Sequence, residues 1–130
     1  MLIPVREKFL ASDENIAINS TEVDGSDFTS KQFDLSRAEF ASITCYVKGD
    51  HASVSKDVVF VFTSYDSDRD QWDTEPYITI AVTGNGTSVV QKTVSINPDV
   101  EKIKLYSIQN QETSAGYTLD ANASLFRKEK

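Results

Sequence analysis

The sequence predicts an all-β fold: a single antiparallel β-sandwich, jelly-roll-like, with about seven to eight short strands and extended terminal arms. Three observations lead to this prediction. From about residue 39 onward, apolar and polar side chains alternate with a period of two, as they do along half-buried strands. Turn-forming residues separate these segments at intervals of roughly 8–14 residues, and no long segment has the 3.6-residue period of a helix.

The 130-residue chain is long enough for one domain with its own hydrophobic core. We place the β-sandwich domain at residues 10–126, with an N-terminal arm at residues 1–9 and a C-terminal tail at residues 127–130. Hydrophobic residues make up 39% of the chain and charged residues 25%, which is the balance of a folded protein. We therefore expect one folded body with a short extension at each end.

The region before residue 39 gives weaker strand signals. "NIAI" (15–18) and "KQFDL" (31–35) are short strand candidates, whereas "STEVDGSDFTS" (20–30) is loop-like. The segment "LSRAEFA" (35–41) is the only one that suits a helical turn. We expect two short strands here, separated by a loop.

Two stretches in the middle of the chain have clear strand patterns. The segment 39–50 alternates, with an inward face made of Ala41, Ile43, Cys45 and Val47. The segment from Val58 to Phe62 is instead apolar on both faces. Two interpretations of it remain open: a central strand of the core, or a strand that contacts another subunit.

The second half continues the same pattern. The segment 76–82 alternates, and Asn85-Gly86 is the pair that best suits a two-residue hairpin turn into a return strand at 88–96. Pro98 favours a type I turn before the strand at 101–108. The inward face of the last strand is predicted to comprise Tyr117, Leu119, Ala121, Ala123 and Leu125.

Composition excludes several classes of function. The chain has 20 acidic and 13 basic residues and a formal net charge of -7, so the phosphates of DNA or RNA would meet a field of the wrong sign. Cys45 is the only cysteine, which excludes an intramolecular disulfide and a cysteine-based zinc cluster. The start, "MLIPVREKFL", lacks the apolar run of a secretory signal. We therefore expect no direct nucleic-acid partner, no membrane contact and a cytosolic site of assembly.

The segment 64–77, "SYDSDRDQWDTEPY", is strongly acidic. Asp66, Asp68 and Asp70 have the spacing that opens a calcium loop, but Gln71 replaces the glycine that the loop requires and Tyr77 replaces the bidentate glutamate. Calcium bound by Asp66, Asp68 and Asp70 is therefore one hypothesis, and the favoured interpretation is a long, solvated hairpin tip whose Trp72 folds back over the end of the sandwich. A calcium titration that leaves the melting temperature unchanged would remove the metal hypothesis.

Three aromatic residues flank the same segment. Tyr65, Trp72 and Tyr77 suit either packing at a loop–strand junction or a platform for a sugar ring. Catalysis is not expected, since exposed acids on one loop are poor candidates for a glycosidase pair. His51 lies in a polar turn and Cys45 on an inward face, so a nucleophilic pair is not indicated. We predict no catalytic residues and no cofactor.

The order of these segments resembles small structural proteins of tailed bacteriophages that serve as capsid decoration or auxiliary head proteins. The likeness covers roughly residues 10–126 and is one of pattern and order. It is carried by "FLASDENIAINSTEVDGSDF", "DLSRAEFASITCYVKGD", "VVFVFTSYDSDRDQWDTEPYITIAV" and "VVQKTVSINPDVEKIKLYSIQNQE". The acidic tip departs from the Gly- or Asn-rich tip of that family, which puts any shared ligand there in doubt.

The resemblance implies a non-enzymatic virion protein that binds the major capsid protein or another virion protein and forms a homo-oligomer. The candidate partner-binding residues are Leu2, Ile3, Pro4, Val5, Trp72 and Tyr77. The alternative is a carbohydrate-binding β-sandwich module that uses Tyr65, Trp72 and Tyr77.

Overall fold

The computed structural model describes residues 1–113 and 118–130, and these ranges contain eleven β-strands and no helix. The strands are β1 (Ile3–Lys8), β2 (Glu14–Ala17), β3 (Ser20–Val23), β4 (Gln32–Asp34), β5 (Ala38–Gly49), β6 (Asp57–Asp66), β7 (Gln71–Trp72), β8 (Ile78–Thr83), β9 (Val89–Ile96), β10 (Lys102–Asn110) and β11 (Thr118–Glu129). They pair antiparallel in two packed sheets. The predicted antiparallel β-sandwich is therefore confirmed.

The two sheets are each four strands wide. The first has the order β1–β11–β5–β9, and β2 lies end to end with β1 along one edge of β11. The second has the order β3–β10–β6–β7, with β4 beside β3 along β10 and β8 beside β7 along β6. Short strands thus share three of the eight positions. The prediction of about seven to eight strands did not include β1, interpreted as an arm, β3, interpreted as a loop, and β7, interpreted as part of a hairpin tip. The jelly-roll-like topology stays a prediction.

The hydrophobic core lies between the sheets and follows the alternation of the sequence. The inward face of β5 is buried as predicted, at Ala41, Ile43, Cys45 and Val47. Three phenylalanines meet in the core: the ring centroid of Phe9 is 4.8 Å from that of Phe33 and 5.0 Å from that of Phe62. Edge-to-face and tilted contacts of this kind stabilise aromatic pairs beyond their buried area.

Residues 1–9, interpreted from sequence as an arm, do not project from the body. Residues Ile3–Lys8 pair along β11 as an edge strand. Phe9 is fully buried, and its N–H donates to the carbonyl of Ala123 at 2.9 Å. The segment 127–130 likewise continues β11. Both ends are extended, but they pair with each other because an uncovered edge on β11 would leave its backbone groups unpaired.

The segment from Val58 to Phe62 is a central strand. β6 pairs with β10 on one edge and with β8 on the other. Val58, Phe60 and Phe62 are fully buried in the core, while Val59 and Val61 are half-buried on the outer face of the second sheet. The first of the two interpretations left open by the sequence is therefore confirmed.

The Asn85-Gly86 turn forms, but it does not join a hairpin. Gly86 has a φ of 58°, and Asn85 bridges Ser88 across the turn. The strands on either side, β8 and β9, belong to different sheets. The hairpin prediction was wrong because a turn residue determines only that the chain reverses locally. Which strand β9 pairs with is decided by its long-range register with β5.

Three weaker predictions also have outcomes. The loop-like segment 20–30 contains β3, which pairs with β10. The segment 35–41 forms a turn that leads into β5, with the N–H of Ala38 donating to the carbonyl of Leu35 at 3.0 Å, and not a helical turn. Tyr117, predicted to face inward, lies outside the described residues. Within the described residues, no helix has the length and apolar content needed to cross a bilayer.

Candidate functional site

The acidic tip is defined as residues 66–75. It comprises the last residue of β6, the hairpin turn, the short β7 and the three residues after β7. Tyr65 pairs with Trp72 and Asp66 pairs with Gln71. The Asp66 carboxylate accepts hydrogen bonds from the backbone N–H groups of Asp68 at 3.0 Å and Arg69 at 3.4 Å, which closes the turn. The tip is thus organised by its own side chains.

The calcium candidates do not converge on one point. The Asp66 carboxylate is engaged by backbone N–H groups of its own turn, and the Asp70 carboxylate accepts a hydrogen bond from the Tyr65 hydroxyl. Among the residues that the structure describes, no group of three His, Cys, Asp or Glu side chains is placed to hold a metal ion. Calcium binding through Asp66, Asp68 and Asp70 stays a prediction, and this geometry gives it no support.

Trp72 folds back onto the outer face of the second sheet. Its ring centroid is 5.4 Å from that of Tyr65, and the two ring planes meet at 64° in an edge-type contact. The Lys104 ammonium lies 4.6 Å from the centroid of the Trp72 ring and forms an ion pair with Asp24 at 3.0 Å. The Lys102 ammonium lies 5.1 Å from the centroid of the Tyr65 ring. These cations of β10 hold both rings in place.

Tyr77 is separated from this aromatic pair by its own contacts. Its hydroxyl donates to the carbonyl of Asn97 at 2.8 Å, and its ring packs against the core. Burial, reinforced by the charge of Asp99 and a hydrogen bond with it, raises the pKa of the Tyr77 hydroxyl. The structure brings Tyr65 and Trp72 together but does not join Tyr77 to them in one sugar platform.

The two residues considered for nucleophilic chemistry lie in different environments. Cys45 is fully buried on β5, and burial raises the pKa of its thiol, so the thiol form is favoured. His51 is exposed in the turn after β5, where its Nδ1 accepts a hydrogen bond from the N–H of Ser53 at 3.0 Å. Cys45 therefore behaves as a small core residue.

The N-terminal partner-binding candidates lie at the edge of the first sheet. Ile3 and Pro4 are exposed, whereas Leu2 and Val5 are half-buried. Along this edge the side chains of Pro4 and Arg6 share the outer face with their β11 neighbours, since period-two alternation places every second residue on one face. Of the candidates, Pro4 thus lies on the outer face of an edge strand and not on a free arm.

The main surface that sequence reasoning missed is on this outer face. Arg6 pairs with Phe126, Lys128 pairs with Phe40, and Phe126 also faces Ser42. Phe40 is 59% exposed, and the Arg6 guanidinium lies 5.3 Å from the centroid of the Phe126 ring. We call this surface the terminal face, and it consists of Pro4, Arg6, Phe40, Phe126 and Lys128.

The signal for the terminal face was present in the alternation. The inward assignment of Ala41 and Leu125 already placed their neighbours Phe40 and Phe126 on the opposite side. What the sequence alone did not show is that β5, β11 and β1 lie side by side. Only that order brings the two rings and the cations together.

No protein-family model matches the sequence, and no curated protein matches it. Several solved structures are similar to it over most of its length. The SPBc2 prophage-derived protein YomS is 11% identical over 99% of this chain and 96% of that chain, with a TM-score of 0.46. The PRD1 vertex protein P5 is 12% identical over 99% of this chain and 96% of that chain, with a TM-score of 0.42.

A carbohydrate-binding domain is similar as well. The CBM36-1 domain of a multidomain xylanase from the hindgut metagenome of Trinervitermes trinervoides is 7% identical, with a TM-score of 0.51. That alignment covers 95% of this chain and 96% of the domain. At these identities the likeness shows the fold alone. The CBM36-1 domain therefore supports the β-sandwich fold of this chain and nothing beyond the fold.

Proposed function

We propose that this chain is a non-enzymatic structural protein of a phage virion, a capsid decoration or auxiliary head protein that binds the capsid lattice in several copies. The proposal has two grounds. One is the resemblance of the sequence to small phage structural proteins, and the other is one structural observation. That observation is the terminal face: two exposed or half-exposed phenylalanines flanked by Arg6 and Lys128 on a regular sheet surface.

The terminal face has the composition of a protein-docking surface. Aromatic residues and arginine are enriched at the centres of protein interfaces, where they supply much of the binding energy. The rings are held on neighbouring strands, so little conformational entropy is lost when a partner covers them. A flat, rigid patch of this kind suits a partner surface that is itself preformed.

Charge indicates what the partner presents. The whole chain carries a formal net charge of -7, yet Arg6, Lys8 and Lys128 are exposed on the outer side of this end of the sheet. A local basic patch on an acidic protein orients it toward an acidic partner surface. On a capsid lattice the partner repeats, so weak contacts by several copies add up through avidity.

The experiment compares occupancy on phage particles assembled without this protein. Phe40→Glu and Lys128→Glu place negative charge on the terminal face without touching the core. Val89→Glu is the matched control, because Val89 is also 59% exposed but lies on β9, near the opposite end of the same sheet. We expect each terminal-face variant to lower particle binding at least about tenfold.

The control should bind as the unmodified chain does. Full occupancy by folded Phe40→Glu and Lys128→Glu proteins would refute docking through the terminal face. A catalytic turnover by the purified chain would refute the non-enzymatic part of the proposal.

A further inference from the structure

A groove of about 290 Å³ crosses the outer face of the second sheet, opposite to the face proposed for docking. It lies between β10 and residues 72–74 at the end of the acidic tip. Its lining residues are Thr63, Trp72, Asp73, Thr74, Lys104 and Tyr106. We call it the Thr63 groove.

Thr63 forms the floor of the groove and has an unsatisfied hydroxyl. Thr63 is only 4% exposed, and its Oγ1 is buried with no hydrogen-bond partner. Pairing with Lys104 puts the side chain on the outer face of the sheet, away from the core. Leaving a buried hydroxyl unpaired costs about 1–3 kcal/mol, so a ligand oxygen that pairs with it gains a ready partner.

Tyr106 supplies an open aromatic wall. The pairing of β10 with β6 slips between Leu105 and Ser107, and this bulge leaves Tyr106 as the extra residue. Its side chain is 47% exposed and lines the groove. Bulges are a common means of re-aiming a side chain next to a binding site. Trp72, fixed by Tyr65 and Lys104, forms the opposite and more rigid wall.

The polar groups around the groove favour a neutral, hydroxyl-rich ligand. Asp73 is oriented by the Ser64 hydroxyl, which donates to its Oδ2 at 2.9 Å. Lys104 is already paired with Asp24 at 3.0 Å. The charge of Lys104 is thus already paired, and Asp73 adds a carboxylate to the groove lining, which disfavours phosphate or carboxylate ligands. A carboxylate, two threonine hydroxyls and an exposed ring are the groups that bind a sugar.

We propose that the Thr63 groove binds a single neutral pyranose ring, which stacks on Tyr106 and exchanges hydrogen bonds with Thr63, Asp73 and Thr74. The volume is near the lower limit of ligand sites and suits one ring. The proposal does not depend on the proposed docking function, because it uses the other sheet. It also moves the sugar site away from the Tyr65, Trp72 and Tyr77 set considered from sequence.

The chain contains its own reporter for the test. Trp72 is the only tryptophan and it lines the groove, so intrinsic fluorescence reads binding there directly. The titrants are methyl glycosides of the common neutral monosaccharides, with inorganic phosphate as the anionic comparison. We expect a saturable change with at least one glycoside below about 10 mM, the weak affinity of a small ligand, and none with phosphate.

Matched variants locate the site. Tyr106→Ala should weaken binding about tenfold, whereas Phe40→Ala, which removes an exposed ring from the other sheet, should not. Thr63→Val should weaken binding about fivefold, whereas Thr79→Val, an exposed threonine on the neighbouring β8, should not. Since Thr63→Val removes an unpaired hydroxyl, it should not lower the melting temperature.

Two results would overturn the proposal. One is the absence of any saturable response across the glycoside panel at about 100 mM, a concentration at which even very weak sites fill. The other is a response that survives unchanged in both Tyr106→Ala and Thr63→Val. A response to phosphate alone would assign the groove to an anion and also reject a neutral sugar.

Discussion

The Lys104 ammonium lies 4.6 Å from the centroid of the Trp72 ring, so a cation of β10 clamps the aromatic residue that ends the acidic hairpin. The same ammonium is paired with Asp24 near the end of β3. Lys104 thereby links three separate segments of the second sheet's outer face. Its contact with Trp72 fixes one wall of the groove described above.

Replacing Lys104 by alanine should loosen Trp72. We expect the free energy of unfolding to fall by about 1 kcal/mol, the sum expected for a partly exposed cation–π contact and a partly buried ion pair. Tryptophan emission should shift to longer wavelength, because the ring gains contact with water. Lys56→Ala, at an exposed position, is the control. An unshifted emission maximum in Lys104→Ala would argue against the clamp.

Glu112 is predicted to be a structural carboxylate. It is 1% exposed, and its Oε2 accepts hydrogen bonds from the backbone N–H groups of Ser55 at 3.0 Å and Lys56 at 3.1 Å. Glu112→Ala would leave both donors without this acceptor, so we expect a loss of about 2–4 kcal/mol in urea unfolding. Glu101→Ala, at a half-buried position just before β10, should cost less than about 1 kcal/mol. Equal losses for the two variants would contradict this role.

The pair formed by Glu22 and Glu14 should make stability depend on pH. The pKa of Glu22 is raised from 4.5 to about 7. Burial is the largest cause, followed by a hydrogen bond with Glu14 and by the charges of Glu14 and Asp27. The folded state therefore binds the proton more tightly than the unfolded state. The stabilisation is fully present below pH 4.5 and is lost as the pH rises through about 7.

Urea unfolding at pH 5 and pH 8 measures this dependence. We expect the chain to be less stable at pH 8 by about 1–2 kcal/mol, a value reduced for the partial exposure of the pair. Glu14→Gln removes the neighbouring charge and should flatten the difference, whereas Glu39→Gln, at an exposed position, should not. A difference of the same size in Glu14→Gln would reject the pair as its source.

Phe9 tests whether the first segment belongs to the core. Its ring contacts Phe33 and Phe62 and is fully buried, so Phe9→Ala should cost about 3–5 kcal/mol. Ile3→Ala, in the same segment but 56% exposed, should change the free energy of unfolding by less than about 0.5 kcal/mol. A small loss for Phe9→Ala would restore the interpretation of residues 1–9 as an arm.

The sequence was informative where the physical signal is local. Alternation identified the buried face of β5, and Asn85-Gly86 identified a turn with positive φ. It failed where the answer depends on distant partners. Phe9 follows a run of charged and exposed residues, so nothing nearby indicates that it enters the core. The sheets to which β8 and β9 belong are set by long-range pairing in the same way.

The candidate sites show the same difference between local signals and long-range pairing. Trp72 was singled out from the sequence because a lone tryptophan among carboxylates is unusual in the chain. Tyr106 was not singled out, because its exposure results from a one-residue bulge that no local sequence pattern indicates. Arg6, Phe40 and Phe126 are more than 30 positions apart in sequence and become neighbours only through strand order. The sequence therefore identified single unusual residues, whereas the surfaces formed by residues distant in sequence were identified only from the structure.

The pairing of β1 with β11 has a consequence for how the first sheet folds. These two strands are more than 100 residues apart in sequence, for example at the pair of Lys8 with Ser124. Phe9, which follows β1 directly, therefore leaves water only when these two distant segments of the chain have come together. Such dependence on the most distant pairing slows folding and leaves a newly made chain exposed to aggregation for longer.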